Sequence, residues 1–340
     1  MTQSSTITID LAKTVFQVAF FNKFGVLKSN EKMTEHKMLS FIVNHPEALI
    51  CMEACSSAHY YGRKFEGQGH KVKLLPPHIV AKYRAGNKND ANDALAIYEA
   101  LKRPNIYSVA VKSISQQDLA SLLKLRKGYI KQRTQVSNRA RGLGAEYGVK
   151  LPEGITSLKK RLPDILEDDG NQLTPASRFI LADLLEEVHR LDSKIKHATA
   201  QLVELAKSIS ECELLTSLPG VQWITASALY ARLGNGSEYK YGRNASAPVG
   251  LVPSHSGSGG KNKLHGITKR GDKYLRSLIT HGARAVVSNI RDKQDKLSCW
   301  IRALSSKHHF NKITIAVANK LVRMALAMLK SATPYRADLA

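Results

Sequence analysis

The sequence predicts an α/β domain over residues 1–147, a linker and long coiled-coil-like helix over 148–212, and a mainly α-helical domain over 213–340. Short β-prone runs alternate with helix-prone segments as far as Leu101, and apolar residues recur at near-heptad spacing from Leu181 to Leu205. The remainder is helix-prone sequence broken by glycine and proline. A chain of 340 residues is long enough to bury two separate cores.

Residues 5–11 and 15–21 are β-prone, and Asn22-Lys23-Phe24-Gly25 supplies the turn before a third run, Val26-Leu27-Lys28, so the chain opens as an antiparallel meander. A helix over 34–44 leads into a strand over 48–52. A second helix, 57–68, stops at Gly69, and 71–75 is a strand closed by Pro76-Pro77; a third helix covers 90–101. The order β-β-β-α-β-α-β-α fits a mixed sheet covered by helices.

The start of that third helix, Asn87-Lys88-Asn89-Asp90-Ala91-Asn92-Asp93-Ala94, puts Asp90 and Asp93 three apart on one face. Carboxylates so placed repel unless a cation lies between them. Asp10, in Ile7-Thr8-Ile9-Asp10-Leu11, and Glu53, after Leu49-Ile50-Cys51-Met52, each end an apolar strand. They could converge with the pair at the C-terminal edge of the sheet, where such sheets commonly place ligands. Four carboxylates together suit a hard divalent metal and phosphoryl chemistry; an acidic helix cap beside two strand-end acids would use the same residues.

Residues 115–140 are helix-prone and carry Lys124, Arg126, Lys127, Lys131, Arg133 and Arg139, with Arg141 just beyond. Cations this dense suit phosphate-backbone contacts, which are salt-dependent and largely blind to sequence; a solvated helix face is the plainer alternative. Residues 148–173 mix proline, glycine and acids and read as a linker. Thr174 caps the next helix, with Pro175 in its first turn. Leu181, Leu184, Val188, Leu191, Ile195, Leu202 and Leu205 form a stripe that should pair with another helix, in the same chain or in a second subunit.

Leu218-Pro219-Gly220-Val221 precedes a helix over 223–233, a turn able to offer backbone N–H groups to a phosphate. After the glycine- and proline-broken stretch from Gly242 to Pro253, Ser254-His255-Ser256-Gly257-Ser258-Gly259-Gly260-Lys261 has little bulk to bury. Its glycines allow close backbone approach and its serines offer nucleophilic hydroxyls. Lys269-Arg270-Gly271-Asp272 and a helix carrying Arg276, His281 and Arg284 could hold a phosphate beside a serine; a flexible surface loop has the same composition. Residues 313–329 form an amphipathic helix that closes the second core.

Lys and Arg outnumber Asp and Glu by 51 to 28, a formal charge of +23. A polyanion is therefore the leading partner and nucleic acid the first candidate, with an anionic membrane surface competing on charge alone. There is no cation-led apolar leader and no apolar run of transmembrane length, so a cytoplasmic protein is expected, in a bacterium one associated with the nucleoid. Cys51, Cys55, Cys212 and Cys299 have neither zinc-knuckle spacing nor a disulfide framework and are expected as free thiols.

Several motifs recur here in one order. They are Ile9-Asp10-Leu11-Ala12-Lys13, Met52-Glu53-Ala54-Cys55 with Ala58-His59, Gly86-Asn87-Lys88-Asn89-Asp90-Ala91-Asn92-Asp93-Ala94, Leu218-Pro219-Gly220-Val221, Arg243, Gly250-Leu251-Val252-Pro253, Ser258-Gly259-Gly260, and Ile267-Thr268-Lys269-Arg270-Gly271-Asp272 followed by Leu275-Arg276. Each is weak alone; the ordered set, covering nearly the whole chain, resembles the DEDD-class bacterial insertion-sequence transposases, the group that includes the pilin-gene invertase Piv and the bridge-RNA-guided recombinases.

The resemblance implies a RuvC-like, RNase H-type first domain in which Asp10, Glu53, Asp90 and Asp93 bind Mg2+ or another divalent metal such as Mn2+. It also implies a C-terminal transposase domain that supplies a serine. Ser258, directly before Gly-Gly-Lys, matches the family serine, and Ser256, two residues earlier, is the alternative. Cys55-Ser56-Ser57 departs from the glycine common after that cysteine. The nucleic-acid-binding candidates are Lys124, Arg126, Lys127, Lys131 and Arg133 on the basic helix and Arg243, Lys261, Lys269, Arg270 and Arg276 beyond it.

The implied activity is metal-dependent DNA cleavage and exchange through a phosphoserine, with double-stranded DNA at the element ends and target as substrate. An element-encoded bridge RNA would act as guide, and a homodimer or homotetramer would hold two duplexes. The acids and the serine are far apart in sequence, so catalysis should depend on assembly of domains or subunits. A RuvC-like nuclease using water would need the acids without the serine, and a noncatalytic nucleic-acid-binding protein would need neither.

Overall fold

Side-chain alternation along two neighbouring strands decides what each face of the N-terminal sheet does. The computed structural model describes residues 4–85, 89–104, 106–258 and 261–338, with backbone alone at 258, 261 and 262. Two compact units divide between Ser115 and Gln116. The first contains β1 (Thr6–Asp10), β2 (Val15–Phe21), β3 (Leu27–Thr34), α1 (Glu35–Val43), β4 (Leu49–Glu53), α2 (Ala58–Gly67), β5 (Val72–Leu75), the short α3 (Pro77–Val80) and α4 (Asp90–Leu101). Its sheet has the order β3-β2-β1-β4-β5. The β1–β2 and β2–β3 pairs are antiparallel, and β1–β4 and β4–β5 are parallel. This is the mixed sheet that the element order predicts.

Ile7 and Ile9 of β1 and Ile50 and Met52 of β4 pack with Met38 and Ile42 of α1 and Tyr61 and Phe65 of α2. The residues between them face the other way. The Thr8 hydroxyl donates to the Ala94 carbonyl of α4 at 2.8 Å, and Cys51, its register partner, packs against Ala96, Ile97 and Ala100. Asp10 and Glu53 continue the Thr8 and Cys51 alternation, so both acids end adjacent parallel strands on the α4 side.

The second unit contains α5 (Ile114–Glu146), which begins at the division, α6 (Ile155–Glu167), α7 (Pro175–Lys207), α8 (Ser210–Thr216), α9 (Trp223–Leu233), α10 (Gly242–Ser246), β6 (Pro253–Ser258), β7 (Lys261–Ile267), α11 (Lys273–Ser288), α12 (Lys296–Ser305) and α13 (Phe310–Ser331). The sequence assigns the basic helix to the first domain. By compactness α5 belongs to the second, because Leu119 and Leu123 pack in one core with Leu202 of α7, Leu229 of α9 and Val317 and Leu321 of α13.

One expectation needs correcting. Residues 148–173 are not a plain linker: α6 occupies most of the stretch and buries Leu158 and Leu162, one turn apart, with Val136 and Ala140 of α5 and Leu181, Leu184, Val188 and Leu191 of α7. The α7 stripe is therefore covered within the chain, its lower half by α5 and α6 and its Leu202 by the C-terminal helices. In the serine- and glycine-rich stretch, β6 and β7 pair as an antiparallel hairpin with Ser256 opposite Lys263 and Ser258 opposite Lys261. As expected, α13 closes the second core and all four cysteines are free. Among the described residues no helix is long and apolar enough to cross a membrane.

The roots of the hairpin meet through two glycines. Gly250 has φ +75° and Gly271 φ +84°; a Cβ on Gly271 would fall 1.9 Å from the Pro248 carbonyl oxygen, and one on Gly250 would fall 2.1 Å from that of Arg270. Backbone hydrogen bonds from Asp272 to Pro248 and from Lys269 to Gly250, at 2.9 and 3.1 Å, hold this contact. Replacing Gly271 with alanine will destabilise the protein by about 2 kcal/mol or more, through left-handed strain plus forced separation of the two backbone segments that meet at Pro248 and Gly271. The denaturant midpoint checks this.

Candidate functional site

Local sequence fixes the start of α4. The Asn89 side chain accepts from the Asn92 N–H at 2.7 Å, which caps the helix and places Asp90 and Asp93 in its first turn, where the helix dipole favours anions. The Gln17 amide donates to Asn30 Oδ1 at 2.6 Å, and the Asn30 amide donates to the Ala91 carbonyl at 3.2 Å, tying β2 and β3 to the same turn. With Thr8 bonded to Ala94, the helix start is pinned beside the ends of β1 and β4.

The electrostatics follow from this placement. Burial, and then the charges of Asp93, Glu53 and Asp90, raise the Asp10 carboxyl from 3.8 to about 6, against a smaller opposing pull from Arg84. The four acids predicted from sequence thus share one electrostatic neighbourhood. Two of them are held by cations that sequence reasoning did not single out: Arg84 pairs with Asp93, and Lys32 Nζ lies 3.2 Å from Asp90 Oδ2. Among the described residues no three His, Cys, Asp or Glu side chains are grouped closely enough to hold one metal ion. The donor set fits a hard divalent cation in kind, being all carboxylate. The left-handed backbone in the Cys55-Ser56-Ser57 stretch falls on Ser57, with φ 65°.

The raised Asp10 pKa has a stability consequence. In the folded protein the carboxyl holds its proton up to about pH 6 and in the unfolded chain only to about 3.8, so the native state binds more protons between these values and stability falls as pH rises through them. In metal-free buffer with EDTA, Asp10→Asn will therefore melt higher than wild type at pH 7.5, and the gap will close toward pH 4. Thermal melts at the two pH values measure it.

The structure sorts the basic-helix residues into two groups. Arg126 Nε donates to Thr199 Oγ1 at 2.8 Å and its Nη1 to Tyr274 OH at 2.9 Å, while Arg133 and Lys159 clasp Asp192. Burial works against ionisation of Asp192, but hydrogen bonds from Lys159 and Arg133 hold its pKa below the ordinary value. Arg141 Nε donates to the Pro152 carbonyl at 2.8 Å. These three arginines brace α5. Lys124, Lys127, Lys131 and Arg139 are exposed, and the three lysines fall at i, i+3 and i+7 on one face.

On the hairpin, Ser256 Oγ and His265 Nε2 are 2.6 Å apart and both residues are exposed. His265 was not singled out from sequence, although it lies nine residues from Ser256 across a hairpin. The side chains of Ser258 and Lys261, and all of Gly86-Asn87-Lys88 and Gly259-Gly260, lie outside the described residues. Arg243, Lys269 and Arg270 are exposed. Arg276 is committed to the hairpin roots, its Nη1 donating to Val249 O at 2.7 Å and Arg270 O at 3.3 Å.

Known proteins resemble this chain over nearly its whole length. Residues 7–147 match a transposase family model of the DEDD, IS110 type, and residues 212–298 match the model described as transposase IS116/IS110/IS902 family. The chain is 36% identical to the transposase for insertion sequence element IS1111A of Coxiella burnetii, over 96% of this chain and 90% of that one. It is 35% identical to a probable family 20 transposase of Pseudomonas aeruginosa, over 98% of both, and 32% identical to the transposase for insertion sequence element IS1328 of Yersinia enterocolitica, over 97% and 98%.

Proposed function

Since the chain belongs to the IS116/IS110/IS902 family of transposases, we propose that it cuts and rejoins DNA at the ends of an insertion sequence with a metal-binding acid cluster, a serine nucleophile and an RNA guide. The observation that supports the reading is the placement of Asp10 and Glu53 at the ends of adjacent parallel strands, on the face against which α4 packs with Asp90 and Asp93 in its first turn. The sheet order β3-β2-β1-β4-β5, antiparallel on one side and parallel on the other, supports a RuvC-like, RNase H-type domain.

Asp10, Glu53, Asp90 and Asp93 would hold Mg2+ or Mn2+, which when bound supplies charge stabilisation at a phosphate undergoing displacement. The chain's own residues do the rest. Ser258 Oγ attacks a DNA phosphorus, forming a phosphoserine ester as the bond to one strand oxygen breaks; the serine proton ends on that departing oxygen. A hydroxyl from another strand reverses the step, so the ester energy is kept and no nucleotide cofactor is consumed. Ser256 is the alternative nucleophile, and its contact with His265 gives it a proton acceptor within hydrogen-bond reach.

The exposed face of α5 and the cations near the hairpin bind the sugar-phosphate backbone, and base pairing with the guide reads sequence. Changing Lys124, Lys127 and Lys131 together to alanine will weaken duplex binding across unrelated sequences and make its dependence on log salt shallower by about 2–3, as expected for three lost phosphate contacts. A salt titration of duplex binding measures this.

The whole reading is tested by exchange between donor and target DNA with Mg2+, with and without RNA transcribed from the element's flank. Exchange only with the RNA supports it. Exchange without RNA removes the guide, and cleavage without any exchange favours hydrolysis.

A further inference from the structure

We propose that the cavity at the C-terminal end of α4 is a seat for one backbone phosphate of bound nucleic acid, held by Lys73 and Arg103. That the anion belongs to nucleic acid rests on the function proposed above; the seat itself needs no metal and uses none of the four acids. The cavity has a volume of about 220 Å³ and is lined by Lys73 and Leu75 of β5, by Lys102, Arg103 and Ile106 just past α4, and by Ser108. It is smaller than the roughly 300–1,000 Å³ of small-molecule pockets and suits a single small anionic group.

Its charge comes from two elements. Lys73 is the register partner of Cys51, which packs against α4, and parallel neighbours point to one face, so Lys73 stands on the α4 side of the sheet. The Arg103 guanidinium lies 5.4 Å from the centre of the Tyr83 ring, and the Lys102 ammonium lies 4.4 Å from that of Tyr98, itself stacked on Phe21. A ring occupies the face of a guanidinium and leaves its N–H edge to meet an anion. Among the described residues no carboxylate lies within ion-pair distance of Lys73, Lys102 or Arg103, and none lines the cavity.

Two plainer roles leave part of this set without a reason. Cations just past a helix complement its dipole and its last carbonyls, which accounts for Lys102 and Arg103 but not for Lys73. Lysine on an edge strand blocks stray pairing, and β5 is the edge of the sheet; yet Val109 already bridges it there, its N–H donating to Leu74 O at 2.7 Å. Like charges gathered around a concavity repel until an anion enters.

The placement gives the seat a use. α4 has 12 residues and is about 18 Å long, so the seat lies past the far end of the helix that begins with Asp90 and Asp93. At roughly 3.4 Å per nucleotide, this is on the order of five nucleotides along a strand. A strand held there is oriented before its cleaved phosphate meets the acids.

Duplex binding by the full chain is read across a salt titration in EDTA. The cavity variant combines Lys73→Gln with Arg103→Gln, and a control combines Lys28→Gln with Lys37→Gln, removing the same charge from exposed positions on β3 and α1. Thermal melts establish folding, and the single substitutions, each with a smaller loss, stand in if the cavity pair does not fold. The cavity variant should bind duplex about tenfold more weakly, and its slope of log affinity against log salt should be shallower by about 0.9, the value for one phosphate contact. The control should lose clearly less on both. Unchanged affinity and slope in a folded cavity variant, or an equal loss in the control, overturns the seat and leaves the proposed function standing. If inorganic phosphate raises the melting temperature of wild type but not of the cavity variant, while both bind duplex alike, the cavity takes a free anion only and the proposal is overturned. Absence of duplex binding by wild type overturns the proposed function and this inference together.

Discussion

Replacing Asp10 with alanine will lower the rate of DNA strand cleavage roughly a thousandfold or more while leaving the protein folded and its duplex affinity equal or slightly improved. A bound divalent ion contributes several kcal/mol to charge stabilisation at a reacting phosphate, and about 1.4 kcal/mol corresponds to each factor of ten in rate. Glu53→Ala should behave alike, because Glu53 ends the neighbouring parallel strand on the same side of the sheet.

The sign of the side effects separates this outcome from simple damage. Asp10 carries an unfavourable negative charge among Asp93, Glu53 and Asp90, so removing it relieves repulsion in the metal-free protein and takes an anion away from a polyanionic ligand. A misfolded variant would lose thermal stability and binding along with cleavage. Single-turnover cleavage of a labelled duplex, read beside a thermal melt and a binding isotherm, distinguishes these cases; unimpaired cleavage in Asp10→Ala would rule out the shared-metal site.

The placement of the four acids was legible in sequence because each obeys a local rule. Asp90 and Asp93 sit one turn apart behind the capping Asn89, and Asp10 and Glu53 each end an apolar strand whose alternation decides the face. The counter-ions were not legible. Lys32 reaches Asp90 from β3, and Arg84 reaches Asp93 from beyond a separate short helix; both pairings depend on how the sheet and α4 pack. The basic helix shows the same limit, since composition marks seven cations but only tertiary packing separates the bracing Arg126, Arg133 and Arg141 from the exposed Lys124, Lys127 and Lys131.

Two stretches gained structure that their sequence does not display, for related reasons. The α6 segment carries Pro163 within its helix, a residue that argues for a linker, and its Leu158 and Leu162 gain meaning only once α5 and α7 lie against them. In the 254–261 stretch, serine and glycine have little strand propensity of their own. Pairing with β7 makes residues 253–258 a strand, held at its roots by the Gly250 and Gly271 contacts.

Ser258→Ala will abolish strand exchange, lowering it roughly ten-thousandfold or to background, and will remove the covalent protein–DNA adduct that denaturation traps in wild type. Ser256→Ala will keep the adduct. Both serines lie on β6, opposite Lys261 and Lys263 respectively, so the two substitutions perturb the same hairpin and serve as each other's control for folding. Deleting the nucleophilic oxygen leaves nothing to carry the phosphoryl group, whereas deleting a neighbouring hydroxyl costs at most the hydrogen bond between Ser256 and His265. If the adduct disappears in Ser256→Ala and survives in Ser258→Ala, the nucleophile moves to Ser256, with His265 as its proton acceptor; His265→Ala should then slow adduct formation and shift its pH profile. Adducts in both variants would reject both serines. No adduct in wild type, with cleavage intact, would mean that water attacks the phosphorus, and the acid cluster would then act as a nuclease centre.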